Sequence, residues 1–325
     1  MPSTIVDPVH DCIQQDPGAP GWSENLVIQA HDTCSDVSVW AHWSRIPGSS
    51  HIWEGVLAVY LEKSQLLVSR TFGPSAYEQT ASSGPLSFEC VTPAEAWRMR
   101  FDGMARRTCS QSVSAAALSD DVFERLSVDL DFVGVHPIWS AHGSMEEQSW
   151  ATAHLEQGGR IRGQVTVAGH QVEINTTGFR DHSYGPRNYR GMAGNTWCTA
   201  IFPSGRAILG LNVWQTAGPG LAVGFVWDGT QMHDATEVRL PQLRSTDGEP
   251  AAFVAEIATS SGTERIAVKQ THRMTWTLNE PVGMTAGALN DTDAIRVVES
   301  PATITWGDET AGGWIEKTLR PSQFG

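Results

Sequence analysis

The feature that most constrains this chain is the recurrence of short runs in which apolar and polar residues alternate, broken by Gly and Pro. Alternation with period 2 puts one set of side chains on each face of an extended strand. Trp53–Tyr60 and Leu66–Arg70 read as a hairpin turning at Lys63 to Gln65, and Val128, Leu130 and Phe132 share one face of a strand over Ser127–Val133. Ile161–Val167, the turn at Ala168-Gly169 and Gln171–Ile174 form the clearest hairpin. Similar runs continue from Thr196 to Leu319. Many short strands spaced by roughly 8 to 12 residues imply an all-β chain, an antiparallel sandwich or barrel.

Helix signals are sparse. Ser144-Met-Glu-Glu147 has the spacing of a capping box, and no breaker follows before Leu155, so a short helix is expected over 145–155, with Glu147, Trp150 and His154 on one face. Ser114 to Leu118 could add a helical turn. A division near residue 175 would give halves 1–175 and 176–325 with strands in both.

Charge and composition narrow the function. With 22 Lys plus Arg against 36 carboxylates the net charge is −14, and Lys63, Lys269 and Lys317 are the only lysines. A nucleic-acid partner is not expected, because phosphate binding needs clustered cations. No apolar stretch reaches the roughly 18 residues of a membrane span. The segment from Met1 to Pro20 lacks an apolar core flanked as in a secretory signal, and the five cysteines are scattered, so a cytoplasmic protein with reduced thiols is expected. The 13 Trp against 4 Tyr favour an aromatic-lined interior. Oligomeric state is not legible.

The common catalytic signatures are missing: no G-x-S-x-G, no G-x-x-x-x-G-K-S/T, no G-x-G-x-x-G and no H-E-x-x-H. The histidines show no tight ligand spacing, so neither a metal nor a cofactor is expected.

What remains is one dense polar segment, Arg180 to Arg190, RDHSYGPRNYR. Such a concentration of Arg, Asp, His and Tyr is costly to bury unless its members bond one another, and functional sites tolerate that cost. If extended, it places Arg180, His182 and Tyr184 on one face and Asp181 and Ser183 on the other; which face looks into a cavity is open. A structural role, an Arg–Asp latch between two barrels, is the competing explanation. Further candidates for a Trp-lined binding pocket are Trp22, His42, Trp53, Glu54, Trp150, His154 and Trp197.

Four stretches together carry a resemblance: Trp22-Ser-Glu-Asn25, Trp53-Glu-Gly55 with Leu67–Gly73, Gln148–Trp150 through His154–Gln157, and above all Gly178-Phe-Arg-Asp-His-Ser-Tyr-Gly-Pro-Arg187. In these the chain resembles the carotenoid 1,2-hydratase (hydroxyneurosporene synthase) superfamily. That resemblance implies two consecutive lipocalin-like antiparallel β-barrels and a cofactor-independent hydratase, dehydratase or cyclase acting on an alkene-containing, terpenoid-like lipophile. Such chemistry needs a proton donor in a dry pocket with π faces to stabilise developing charge. Asp181 would then be general acid/base, His182 and Tyr184 would relay or orient, and Arg187 would position a polar group or lock the loop. A carboxyl group is kept neutral by desolvation, and a neighbouring Arg180 would oppose this. The alternative from another class is a non-catalytic carrier of a hydrophobic small molecule.

Overall fold

The computed structural model describes residues 6–49, 51–75, 78–114, 122–141, 143–145, 148–218, 220–279, 283–288 and 293–324. The first sheet contains β1 (Trp22–Asp32), β2 (Val37–Arg45), β3 (Ile52–Tyr60), β4 (Gln65–Pro74), β5 (Thr80–Ser83), β6 (Leu86–Thr92), β7 (Ala96–Cys109), β8 (Val122–Gly134), β9 (Trp139–Ser140), β10 (Ala153–Val167) and β11 (His170–Pro186). The second contains β12 (Met192–Ile201), β13 (Ala207–Gln215), β14 (Leu221–Trp227), β15 (Met232–Arg239), β16 (Ala252–Thr259), β17 (Gly262–Gln270), β18 (Met274–Leu278), β19 (Met284–Ala286), β20 (Arg296–Trp306) and β21 (Glu309–Leu319).

The first sheet runs β4-β3-β2-β1-β11-β10-β8-β7 and closes through a β4–β7 pairing, an eight-stranded antiparallel barrel with β6 and β5 continuing from β7. The second runs β17-β16-β15-β14-β13-β12-β21-β20 and returns on itself through β17–β20. Closure leaves few free edges, which is how an all-β chain of this size avoids edge-to-edge association. The fold is the all-β, two-barrel arrangement expected from the alternating runs and the resemblance.

Alternation decides where each side chain goes. Leu26, Ile28, Trp97 and Phe132 fill the first barrel, while Ile208, Ile257, Ile266 and Ile304 fill the second. A third cluster, including Val27, Trp40, Trp197, Leu211 and Trp276, combines the outward face of one sheet with a face of the other. The two barrels are therefore joined by an apolar layer of their own.

Two expectations need correction. Residues 148–152 are bends and irregular chain, and β10 starts at Ala153, so no helix covers the described part of 145–155; Glu146 and Glu147 lie outside the described residues. Gln148 N–H donates to Met145 O. The strand prevails because Ala153 to Val167 pairs along β11 without a break, which outweighs a local cap. The helical turn sits at Ser110–Ser114, and 115–118 lie outside the described residues. The division expected at 175 falls inside β11, and the chain changes sheets between Pro186 and Met192.

Candidate functional site

Residues 180–186 of the polar segment are the end of β11, and their alternation separates two networks. Arg180, His182 and Tyr184 turn away from the inter-barrel layer. Arg180 makes a bidentate pair with Asp11, at 2.6 and 2.8 Å, and also donates to Gln157 Oε1 at 2.7 Å. Its guanidinium lies over the rings of Trp97 and Phe132, at 5.2 and 5.5 Å. His182 Nε2 is 2.8 Å from Glu24 Oε1, and Tyr184 OH is 3.1 Å from His10 Nδ1. The latch imagined for Arg180 therefore exists, but its acid is Asp11 in the N-terminal segment, not Asp181, and it ties that segment to the first barrel.

Burial alone would raise the Asp11 carboxyl, but the charges of Arg180 and His182 overcome it and hold it well below the usual carboxylate range. His182 is the reverse case: burial lowers it, and the carboxylates of Asp11, 3.9 Å from Nδ1, and Glu24, bonded to Nε2, outweigh burial and lift it to about 9. A His raised above its unfolded value near 6.5 stabilises fully below that pH and loses the contribution as pH rises through about 9. His31, His42 and His136, depressed by burial to about 4, 3 and 4, act oppositely and withdraw stability as pH falls from 6.5. Stability should thus peak near pH 6 to 7, and His182→Gln should flatten the alkaline decline in a series of melting curves. An alkaline limb unchanged in that variant contradicts the assignment.

Asp181 and Ser183 face the other way, into a cavity of about 130 Å³ between the barrels. That volume is on the order of ten times what one water needs. The first barrel supplies Val27, Trp40, His42, His154 and Asp181 to the wall, and the second supplies Asn195, Trp197, Leu211, Val297 and Glu316. Trp150 and Arg187 line it from the connecting segments. Of the expected site residues, the structure gathers His42, Trp150, His154, Asp181, Arg187 and Trp197 here. His182 and Tyr184 sit on the opposite face of β11. Trp22 and Trp53 flank the Arg45 guanidinium at 5.3 and 4.8 Å, and Glu54 is held by Arg70 and by Met284 N–H at 3.1 Å.

The chemical centre is on β10 and β11. His154 Nε2 is 2.9 Å from Glu156 Oε1, and its Nδ1 is 3.2 Å from Asp181 Oδ2, an ion-pair contact without hydrogen-bond alignment. Burial would lower His154, but the two carboxylates dominate and push it to about 9. Burial raises Glu156 to about 8 despite its bond to His154. One imidazolium, one carboxylate and one carboxylic acid are then the arrangement that avoids a net buried charge near neutrality. Arg180 does not complicate Asp181, because alternation sends it to the far face. The same three side chains place ligand atoms within 4.8 Å of one another, so a cation could be bridged here, a grouping invisible to linear spacing because two strands contribute.

Arg187 orders the rim. It donates to Trp150 O and Ser183 O, both at 2.8 Å, and with the Asn25 amide oriented oxygen-inward it also donates to Asn25 from Nε at 2.7 Å. Asn25 then donates to His42 Nε2 at 3.2 Å. Gly185 makes this turn possible: its φ is +136°, and a Cβ would lie 2.4 Å from Thr152 N.

On the opposite wall, Asn195 Nδ2 donates to Glu316 Oε1 at 2.7 Å, and Trp314 Nε1 donates to Glu299 Oε2 at 2.6 Å. Glu299 and Glu316 are cross-strand partners on β20 and β21. Burial, together with the neighbouring Glu316, lifts Glu299 well above its ordinary value, which favours its protonated form. Glu156, Glu299, Glu316 and Asn195 were missed from sequence. The i, i+2 spacing of His154 and Glu156 is a visible signal once the segment is read as a strand.

Solved structures with this architecture were found across nearly the whole chain. An AttH candidate from Nitrosomonas europaea matches at 12% identity and TM-score 0.65, covering 92% of this chain and 93% of its own. CghA with Sch210972 matches at 9% and 0.61, with coverages of 95% and 97%. Kievitone hydratase from Nectria haematococca matches at 12% and 0.60, with coverages of 98% and 95%. At these identities the likeness is one of fold. No curated protein matches the chain in sequence. A family model, Domain of unknown function (DUF7064), matches residues 7–320, and the chain belongs to that family.

Proposed function

We propose that this protein is an acid–base lyase or isomerase, a hydratase, dehydratase or cyclase, acting on a lipophilic alkene or alcohol in the inter-barrel cavity. The observation that carries the proposal is the His154–Asp181 ion pair at the wall of a Trp-lined cavity. A protonated imidazole and a carboxylate side by side supply the acid and the base that adding or removing water requires. The apolar wall keeps bulk water away and strengthens both charges' effect on a substrate. Asp181 keeps the acid/base role expected of it, His154 becomes its partner, Glu156 stores a proton behind them, and Arg187 holds the rim. The resemblance to the carotenoid 1,2-hydratase superfamily and the fold shared with kievitone hydratase support the same reaction class.

The test begins with mass spectrometry of the small molecule released from denatured protein. That molecule is returned to fresh protein in water enriched in ¹⁸O and ²H. The proposal expects label in the recovered compound at an oxygen or at carbon. Recovery of the compound without label, while bound, would instead identify a carrier.

A further inference from the structure

The two walls of the cavity carry different proton-bearing groups. The first barrel presents an ion pair, His154–Asp181, whereas the second presents a carboxyl pair, Glu299–Glu316, of which Glu316 reaches the cavity. A carboxyl pair buried on an apolar wall cannot ionise twice, because like charges repel strongly where water is excluded. Trp314 fixes one Glu299 oxygen, and the other has no hydrogen-bond partner among the described residues, with Glu316 beside it on the paired strand. Asn195 fixes the near oxygen of Glu316. The pair thus retains a proton that can shift to the cavity-facing member when an acceptor arrives.

We propose that Glu316 receives a carbonyl oxygen of the substrate, and that the protein adds water to, or removes it from, a carbon–carbon double bond conjugated with that carbonyl. This rests on the acid–base reading of Asp181 and His154 and specifies the substrate class. For hydration, Asp181 takes a proton from water as the water oxygen bonds to the β-carbon. The alkene electron pair moves to the bond between the α-carbon and the carbonyl carbon, and the carbonyl oxygen takes the proton from Glu316. The resulting enol then accepts a proton at the α-carbon from the Asp181–His154 pair, and its O–H proton returns to Glu316. Atoms balance as one water added, and dehydration is the reverse. A neutral carboxyl aimed at a developing enolate oxygen is a strong electrostatic catalyst, since it needs no reorganisation as charge appears.

Two probe pairs test this with the intact protein. In equilibrium titrations read by tryptophan fluorescence, 4-phenyl-3-buten-2-one should bind at least about tenfold more tightly than 1-phenyl-1-butene, its analogue without the carbonyl. Glu316→Ala should abolish that preference, and Glu316→Gln, which keeps a donor, should retain part of it. Equal binding of both probes to the parent protein overturns the role of Glu316, whatever the variants do. For turnover, 4-hydroxy-4-phenylbutan-2-one should lose water at least about a hundredfold faster than 1-phenylbutan-1-ol, a benzylic alcohol that could react only through a cation. Equal rates, or reaction of the simple alcohol alone, overturn the enol route. Carbonyl-selective binding with no dehydration of either probe overturns the assigned reaction class and the acid–base reading with it, but not the carbonyl contact.

Discussion

Asp11→Ala should destabilise the protein by about 3 to 5 kcal/mol, the scale expected when one partner of a buried ion pair is removed. Arg180 is 1% exposed, and both of its terminal nitrogens bond Asp11. Without the carboxylate, the guanidinium keeps only Gln157 and the Trp97 and Phe132 faces. Asp11 also accepts from Ala94 N–H and from Trp97 Nε1–H, so the same change orphans two more buried donors. Denaturant unfolding measures the effect. A loss under about 1 kcal/mol would mean that the N-terminal segment is not the latch the geometry describes.

Asp181→Asn should lower turnover of the natural substrate by about 10²-fold or more while the protein melts close to the parent. The two outcomes are linked by strand alternation. Had Arg180 been the partner of Asp181, neutralising the acid would have stranded a buried cation. Because Arg180 pairs with Asp11 on the other face, the charged group left short among the described residues is His154, which keeps Glu156 at 2.9 Å. A variant that melts as the parent and turns over at the parental rate removes Asp181 from the chemistry. One that unfolds at room temperature contradicts the separation of the two networks.

Much of the fold was legible in the sequence because strands declare themselves through period-2 alternation, and a barrel repeats that signal in every strand. The hairpin at Ala168-Gly169 and the opposite faces of Arg180 and Asp181 could be read directly. The helix over 145–155 misled for a specific reason: a local capping pattern says nothing about a partner strand elsewhere in the chain, and β10 is held by pairing with β11. That error also hid the site. On a helix, His154 and Glu156 point apart, whereas on a strand they share a face. Glu316 was illegible for a different cause. It lines the same cavity as Asp181 only because two barrels pack face to face, a relation between distant segments that one sequence does not display. The Trp residues illustrate the limit of composition. Trp40, Trp150 and Trp197 line the cavity, yet Trp22 and Trp53, equally plausible beforehand, stack on Arg45 instead.

The central claim is that the cavity wall carries a charged imidazole poised against a carboxylate. Side-chain ¹⁵N NMR of His154, assigned by difference from His154→Gln, tests it without any substrate. In the parent protein His154 should be doubly protonated throughout neutral pH and should titrate near pH 9, and in Asp181→Asn its midpoint should fall. A parent His154 that is neutral at pH 7, with the same midpoint in both proteins, would contradict the account.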